Sequence, residues 1–161
     1  MLVKELVVKL ENKVGQLNRV VSILAEQGID LKAVTCIKVS DEETKVKLIT
    51  IEHDKAKNIL DREKISYFEN EVIIVDIEDK QGELSKILNI LQKENINIDY
   101  VYTTFSYLKK RVLIVFDFDD PSRAIDVLKK NHISLVSHKE DDNFSEEEHD
   151  IKEYLATVIT P

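Results

Sequence analysis

The chain has 161 residues, 43% apolar and 34% charged, which is enough for one ordinary domain or two very small ones. Its net charge is −8 and no basic face dominates, which argues against DNA or RNA backbones as partners. No apolar run approaches the ~20 residues that span a bilayer, and the single cysteine, Cys36, excludes an internal disulfide and fits a reducing, cytoplasmic setting.

In chain order, Leu2 to Leu10 is Val- and Leu-rich with partial alternation and reads as a strand. Val14 to Gln27 carries Leu17, Val20, Val21 and Leu24 at helical spacing, and Gly28 supplies a left-handed residue to end that helix. Leu31 to Val39 and Lys45 to Ile51 read as strands around the polar turn Ser40-Asp41-Glu42-Glu43. Asp54 to Glu63 is a second helix, with Ala56, Ile59 and Leu60 on one side, and a short fourth strand ends near Phe68. After Glu69-Asn70 the order starts again: strands near Glu71–Glu78, Ile98–Tyr107, Arg111–Phe118 and Ser134–His138, helices near Gly82–Glu94 and Pro121–Asn131.

The second half copies the first. Shifted by 67 residues, Val8–Val34 overlays Val75–Val101 with nine identities in 27 positions, where chance gives roughly one or two. Farther on, Ala56/Ala124, Leu60/Leu128, Ile65/Ile133 and Ser66/Ser134 align at a shift of 68. The expected fold class is therefore α+β, with two tandem ferredoxin-like βαββαβ units, each an antiparallel sheet with helices on one face. Residues 1–70 form the first domain and 71–138 the second. Residues 139–161 form an acidic extension. Lys139 to Glu153 holds eight acids and two lysines, and Ile151, Tyr154, Leu155 and Val158 form a stripe, consistent with a docked helix or with a solvated tail.

Each copy places a similar heptad between its first strand and first helix, ENKVGQL at 11–17 and EDKQGEL at 78–84. Gly15 and Gly82 permit a sharp turn, and Asn12 or Asp79 is placed to cap free N–H groups. A capped turn explains that much. A helix N-terminus also attracts a carboxylate, and a glycine there lets a small ligand approach the backbone.

The stretches LENKVGQLNRVVSILAEQGIDLKAV and IEDKQGELSKILNILQKENINIDYVYTTF resemble tandem ACT-domain proteins of the small stand-alone type. The resemblance implies a ferredoxin-like regulatory module that binds an amino acid at an interface between domains and signals to an enzyme or regulator. It also implies domains side by side in an eight-stranded sheet, and at least a homodimer. Its ligand contacts map onto Asn12, Val14, Gly15, Gln16 and Leu17, and onto Asp79, Gln81, Gly82, Glu83 and Leu84. A polar residue after the helix, Asp30 or Asn97, joins them in some members. Each copy then offers an acceptor for an ammonium (Asp30 or Asp79), an amide (Asn12 or Asn97) and backbone donors for a carboxylate. Asp30 and Asn97 also suit a plain helix-to-strand turn. The family usually has proline before the glycine; Val14 and Gln81 stand there instead and leave the turn less rigid.

No catalytic motif is present, and neither a cofactor nor a metal is expected. Cys36 reads as a small core or interface residue. Of His53, His132, His138 and His149, only the last two are framed by acids, in a run that reads more simply as solvated. Tyr100, Tyr102, Phe105 and Tyr107 crowd one strand; such aromatics mostly pack in core and sheet, but an open face bearing Tyr100, Tyr102 or Phe105 suggests a subunit interface or a lid. Three functions follow: an amino-acid sensor without catalysis, a structural regulatory subunit that dimerises through its sheets with no small ligand, and a small hydrolase, for which no base–nucleophile pair is in view.

Overall fold

The structure, a computed structural model, describes residues 2–106 and 111–136. Its elements are β1 (Leu2–Glu11), α1 (Gln16–Glu26), β2 (Leu31–Lys38), β3 (Glu43–Thr50), α2 (His53–Arg62), β4 (Tyr67–Glu78), α3 (Glu83–Lys93), β5 (Ile98–Ser106), β6 (Arg111–Phe118), α4 (Pro121–Lys130) and β7 (Ser134–Leu135). The fold is α+β, a twice-repeated βαββαβ order. Lys4–Glu71 form one compact unit; the described residues from Val72 to Val136, with Leu2 and Val3, group in another.

In the first unit the strands run in the order β2-β3-β1, all antiparallel. The Lys9 N–H donates to the Ser66 carbonyl at 2.9 Å, which brings the start of β4 beside β1. Alternation sends Leu6 and Val8 of β1 and Val46 and Leu48 of β3 to one face. There they meet Val20 and Leu24 of α1 and Ala56, Ile59 and Leu60 of α2. Leu24 is fully buried; truncating a residue of that kind to alanine costs about 2–5 kcal/mol.

The second unit has the order β5-β6-β4-β7. Ile73 and Val75 of β4 and Ile114 and Phe116 of β6 pack under Ile87 and Leu91 of α3 and Ala124, Val127 and Leu128 of α4. Pro121 opens α4, where its missing N–H costs nothing, and the Asp120 carboxylate caps the Arg123 N–H at 3.0 Å.

Two local expectations differ from what the chain does. The break at Glu69-Asn70 is absent: β4 runs unbroken from Tyr67 to Glu78, so the described residues hold seven strands, not eight. The segment is polar but has no Gly or Pro to force a turn, and its first residues serve one unit while its last serve the other. Of the two alternatives for Cys36, core or interface, the core one falls: Cys36 is exposed, because β2 is the outermost strand of its unit. The expected strand end at Tyr107 and the tail at 139–161 lie outside the described residues, as do Ser137 and His138 at the expected end of the last strand.

Candidate functional site

Both heptads fold the same way, bond for bond. The Lys13 N–H donates to the Glu11 carbonyl at 2.8 Å, and Lys80 does so to Glu78 at 2.8 Å. Gln16 then donates to Lys13 at 3.3 Å and Glu83 to Lys80 at 3.3 Å; Arg19 donates to Gly15 at 2.9 Å and Lys86 to Gly82 at 3.0 Å. The two glycines are the N-caps of α1 and α3, at φ 91° and 90°. A side chain at either would meet no atom within 4 Å. The glycines are therefore required by backbone conformation, and the space in front of them is open.

Asn12 does not cap the helix. Its N–H donates to the Glu42 carbonyl at 2.9 Å and its Nδ2 to the Asp41 carbonyl at 3.3 Å. Its Oδ1 accepts from Thr44 Oγ1 at 3.1 Å. The side chain thus fastens the heptad to the turn between β2 and β3. It stands three residues before the N-cap, too early to reach the first-turn donors. Among the described residues, no side chain caps α1 or α3, which leaves the Leu17 and Asn18 N–H groups, and those of Leu84 and Ser85, without a side-chain acceptor there.

In the first unit the heptad borders a small hollow of about 100 Å³, lined by Leu10, Glu11, Asn12, Lys13, Gln16, Leu17, Cys36 and Thr44. Three expected residues, Asn12, Gln16 and Leu17, meet there. Val14 projects fully into solvent, and Gly15 forms the bend. Lys13, Cys36 and Thr44 were not among the expected contacts. Lys13 had a signal, since Lys80 repeats it; Thr44 arrives through its register opposite Leu10. Lys13 Nζ pairs with Glu11 at 2.7 Å, and Lys80 pairs with Glu78. That hydrogen bond and the opposite charge hold each of the two carboxyls below its usual range.

In the second unit, Asp79, Gln81 and Gly82 are exposed on the matching turn, Glu83 pairs with Lys86, and Leu84 packs on the core. Asp30 and Asn97 lie elsewhere. Each follows the C-terminal end of an 11-residue helix, roughly 16 Å from the heptad at its start. Asp30 binds Lys32 at 2.6 Å and Asn97 donates to Asp99 at 3.4 Å. One small ligand on one copy cannot touch both Asn12 and Asp30.

A second cluster had no signal in the sequence. His53, 6% exposed, starts α2 and its Nε2 lies 2.8 Å from Glu69 Oε1. Lys57 reaches the same oxygen at 2.5 Å. The Lys57 and His53 hydrogen bonds bring the Glu69 carboxyl down to about 2. A shallow groove of about 500 Å³ runs past Lys57, Asp61, Ile65, Ser66, Tyr67 and Glu69. Among the described residues, no three His, Cys, Asp or Glu gather to hold a metal, and no helix is long and apolar enough to cross a membrane.

The profile of the ACT domain pair matches residues 1–145. The chain belongs to that family. Among solved structures, this ACT domain pair resembles protein BT0572 from Bacteroides thetaiotaomicron, at 27% identity and a TM-score of 0.78, over 84% of this chain and 92% of that one. The regulatory subunit of aspartate kinase from Thermus thermophilus, in its ligand-free form, matches with a TM-score of 0.53 at 13% identity, over 80% and 91%. The aspartokinase alpha and beta subunits match with 0.54 at 17%, over 79% and 90%. At these last two identities the likeness is one of fold. No curated protein matches.

Proposed function

We propose that this ACT domain pair is a regulatory protein without catalysis of its own, which binds a free amino acid at its heptad turns and passes that state to an enzyme or regulator in the cytoplasm. The observation that carries the reading is the duplicated turn: a left-handed glycine, open space before it, and an uncapped first helical turn, built twice with the same hydrogen bonds. First-turn N–H groups and the helix dipole suit an α-carboxylate. Asn12 is committed to its own hairpin, and Asp30 is a helix length away. On this reading the acceptor for the ammonium comes from a second surface, that of another domain or of the partner in a homodimer. Gln16 and Leu17, and Glu83 and Leu84, contact it from the helix side; Val14 and Gln81 flank the turn, with Asp79, Asp30 and Asn97 as the candidate acceptor and amide groups.

A thermal-shift screen of the full chain against the twenty amino acids tests this. A ligand at about 100 times its dissociation constant stabilises by about 2.7 kcal/mol. No shift with any amino acid at millimolar concentration removes the sensor reading.

One observation favours a second reading, assembly without a small ligand. The outer strand β2 and the residue after it expose Val34, Ile37 and Val39 at 45%, 41% and 52%. An apolar edge of that kind suits pairing with another copy. A dimer whose stability no amino acid alters would support it.

A further inference from the structure

Phe68 lies on the helix-free face of the first unit, since its neighbour Tyr67 packs into the helical core and side chains alternate along a strand. Phe68 is 42% exposed. Lys9 Nζ sits 5.6 Å and Lys45 Nζ 5.8 Å from the ring centroid. The two lysines stand directly opposite each other in the β1–β3 register, an unfavourable like-charge pair. Neither ammonium meets a carboxylate within ion-pair distance among the described residues, which is also true of Lys4, Lys55, Lys64, Lys93, Lys129 and Lys130. Ile37, opposite Lys45, adds exposed aliphatic surface. On a chain of net charge −8 this is a pair of unpaired ammonium groups over an apolar floor, with Glu11 and Glu43 opposite each other two residues along the same strands. An anion would complement the two lysines, and an apolar neighbour would cover the ring and Ile37.

We propose that this patch receives the acidic segment 139–158 of a second copy of the chain. That segment has both features. Lys139 to Glu153 carries −6, and Phe144, Ile151, Tyr154, Leu155 and Val158 are interleaved with the acids or follow them. A small anion would satisfy the lysines and leave Phe68 and Ile37 wet. The 25 residues beyond Val136 reach on the order of 80 Å when extended, far enough to cross to a neighbour. The contact does not rest on the amino-acid reading of the heptads, which uses other residues.

Zero-length carbodiimide cross-linking of an equal mixture of unlabelled and nitrogen-15-labelled full-length chain tests it. The expected products are mixed-isotope peptides joining Lys9 or Lys45 to acids within 139–153, several-fold more abundant than links from the exposed Lys64, Lys93 or Lys129. They should fade at about 1 M salt, where the Debye length is about 3 Å. Phe68→Ser leaves every reacting group in place and should lower their yield several-fold. Links confined to one isotope, a yield indifferent to both salt and Phe68→Ser, or no links from Lys9 and Lys45 would each overturn the proposal.

Discussion

Leu24 and Ile29 close the first helix together: the Ile29 N–H donates to the Leu24 carbonyl at 3.0 Å, across a left-handed Gly28 at φ 73°. The same closure recurs in Leu60/Ile65 at 2.9 Å, Leu91/Ile96 at 3.0 Å and Leu128/Ile133 at 3.0 Å. The left-handed positions there are Lys64, Asn95 and His132. A side chain in that conformation costs roughly 1–2 kcal/mol, least for Asn, and glycine gives some of that back through its freer unfolded chain. Lys64→Gly and His132→Gly should each raise unfolding free energy by about 0.5–1 kcal/mol, with a smaller gain for Asn95→Gly. Gly28→Ala should lower it by about 1 kcal/mol. Urea denaturation reads all four.

Asn12→Ala should cost about 1–2 kcal/mol, since it unfastens the heptad from the β2–β3 turn and strands Thr44 Oγ1. Asp79→Ala, at the matching position, should be nearly neutral, because Asp79 makes no hydrogen bond or ion pair among the described residues. Equal losses in both would contradict the role assigned to Asn12.

Glu69 gives a pH prediction. Its folded carboxyl lies at about 2, below the ordinary 4.5, chiefly through Lys57 and then His53. A depressed carboxyl contributes stability that is present above the unfolded value and lost as pH falls through the folded one. Stability should therefore decline between about pH 4.5 and pH 2, and Glu69→Gln should flatten that decline. Glu69 is partly exposed, so salt should weaken the effect. Denaturant melts at pH 5 and pH 3 for both proteins measure it.

Buried Glu5 and Lys47 face each other at 3.3 Å, at 0% and 9% side-chain exposure. Lys47→Met should cost about 3–5 kcal/mol by leaving a buried carboxylate without this cation, and Glu5→Leu with Lys47→Met should recover most of it. A double variant as unstable as the single one would contradict this.

Much of this was legible in the sequence. The repeat could be read from Val8–Val34 over Val75–Val101, and the helices from stripes such as Leu17, Val20, Val21 and Leu24, because both signals are local. What escaped was non-local. The bond between Asn12 and Thr44 spans 32 residues and exists because the β1–β3 register sets Leu10 opposite Thr44. His53 meets Glu69 only once α2 docks on its sheet. Exposure of Cys36 depends on β2 being outermost, which alternation along one strand cannot reveal. The heptad residues were readable as a turn, but the helix length separating them from Asp30 and Asn97 is a fact of three dimensions.

The central claim is an amino acid held at the heptad turns. Titration calorimetry of the full chain with the amino acid that gives the largest thermal shift tests it most directly, with Gly15→Val and Gly82→Val alongside. Nothing lies within 4 Å of either glycine's missing side chain, so each valine should strain its own turn, fill the open space, and leave the rest of the fold standing. The account predicts saturable binding by the wild type and loss of one site, or of all binding where the sites are shared, in each folded variant. Unchanged binding in both folded variants would contradict it.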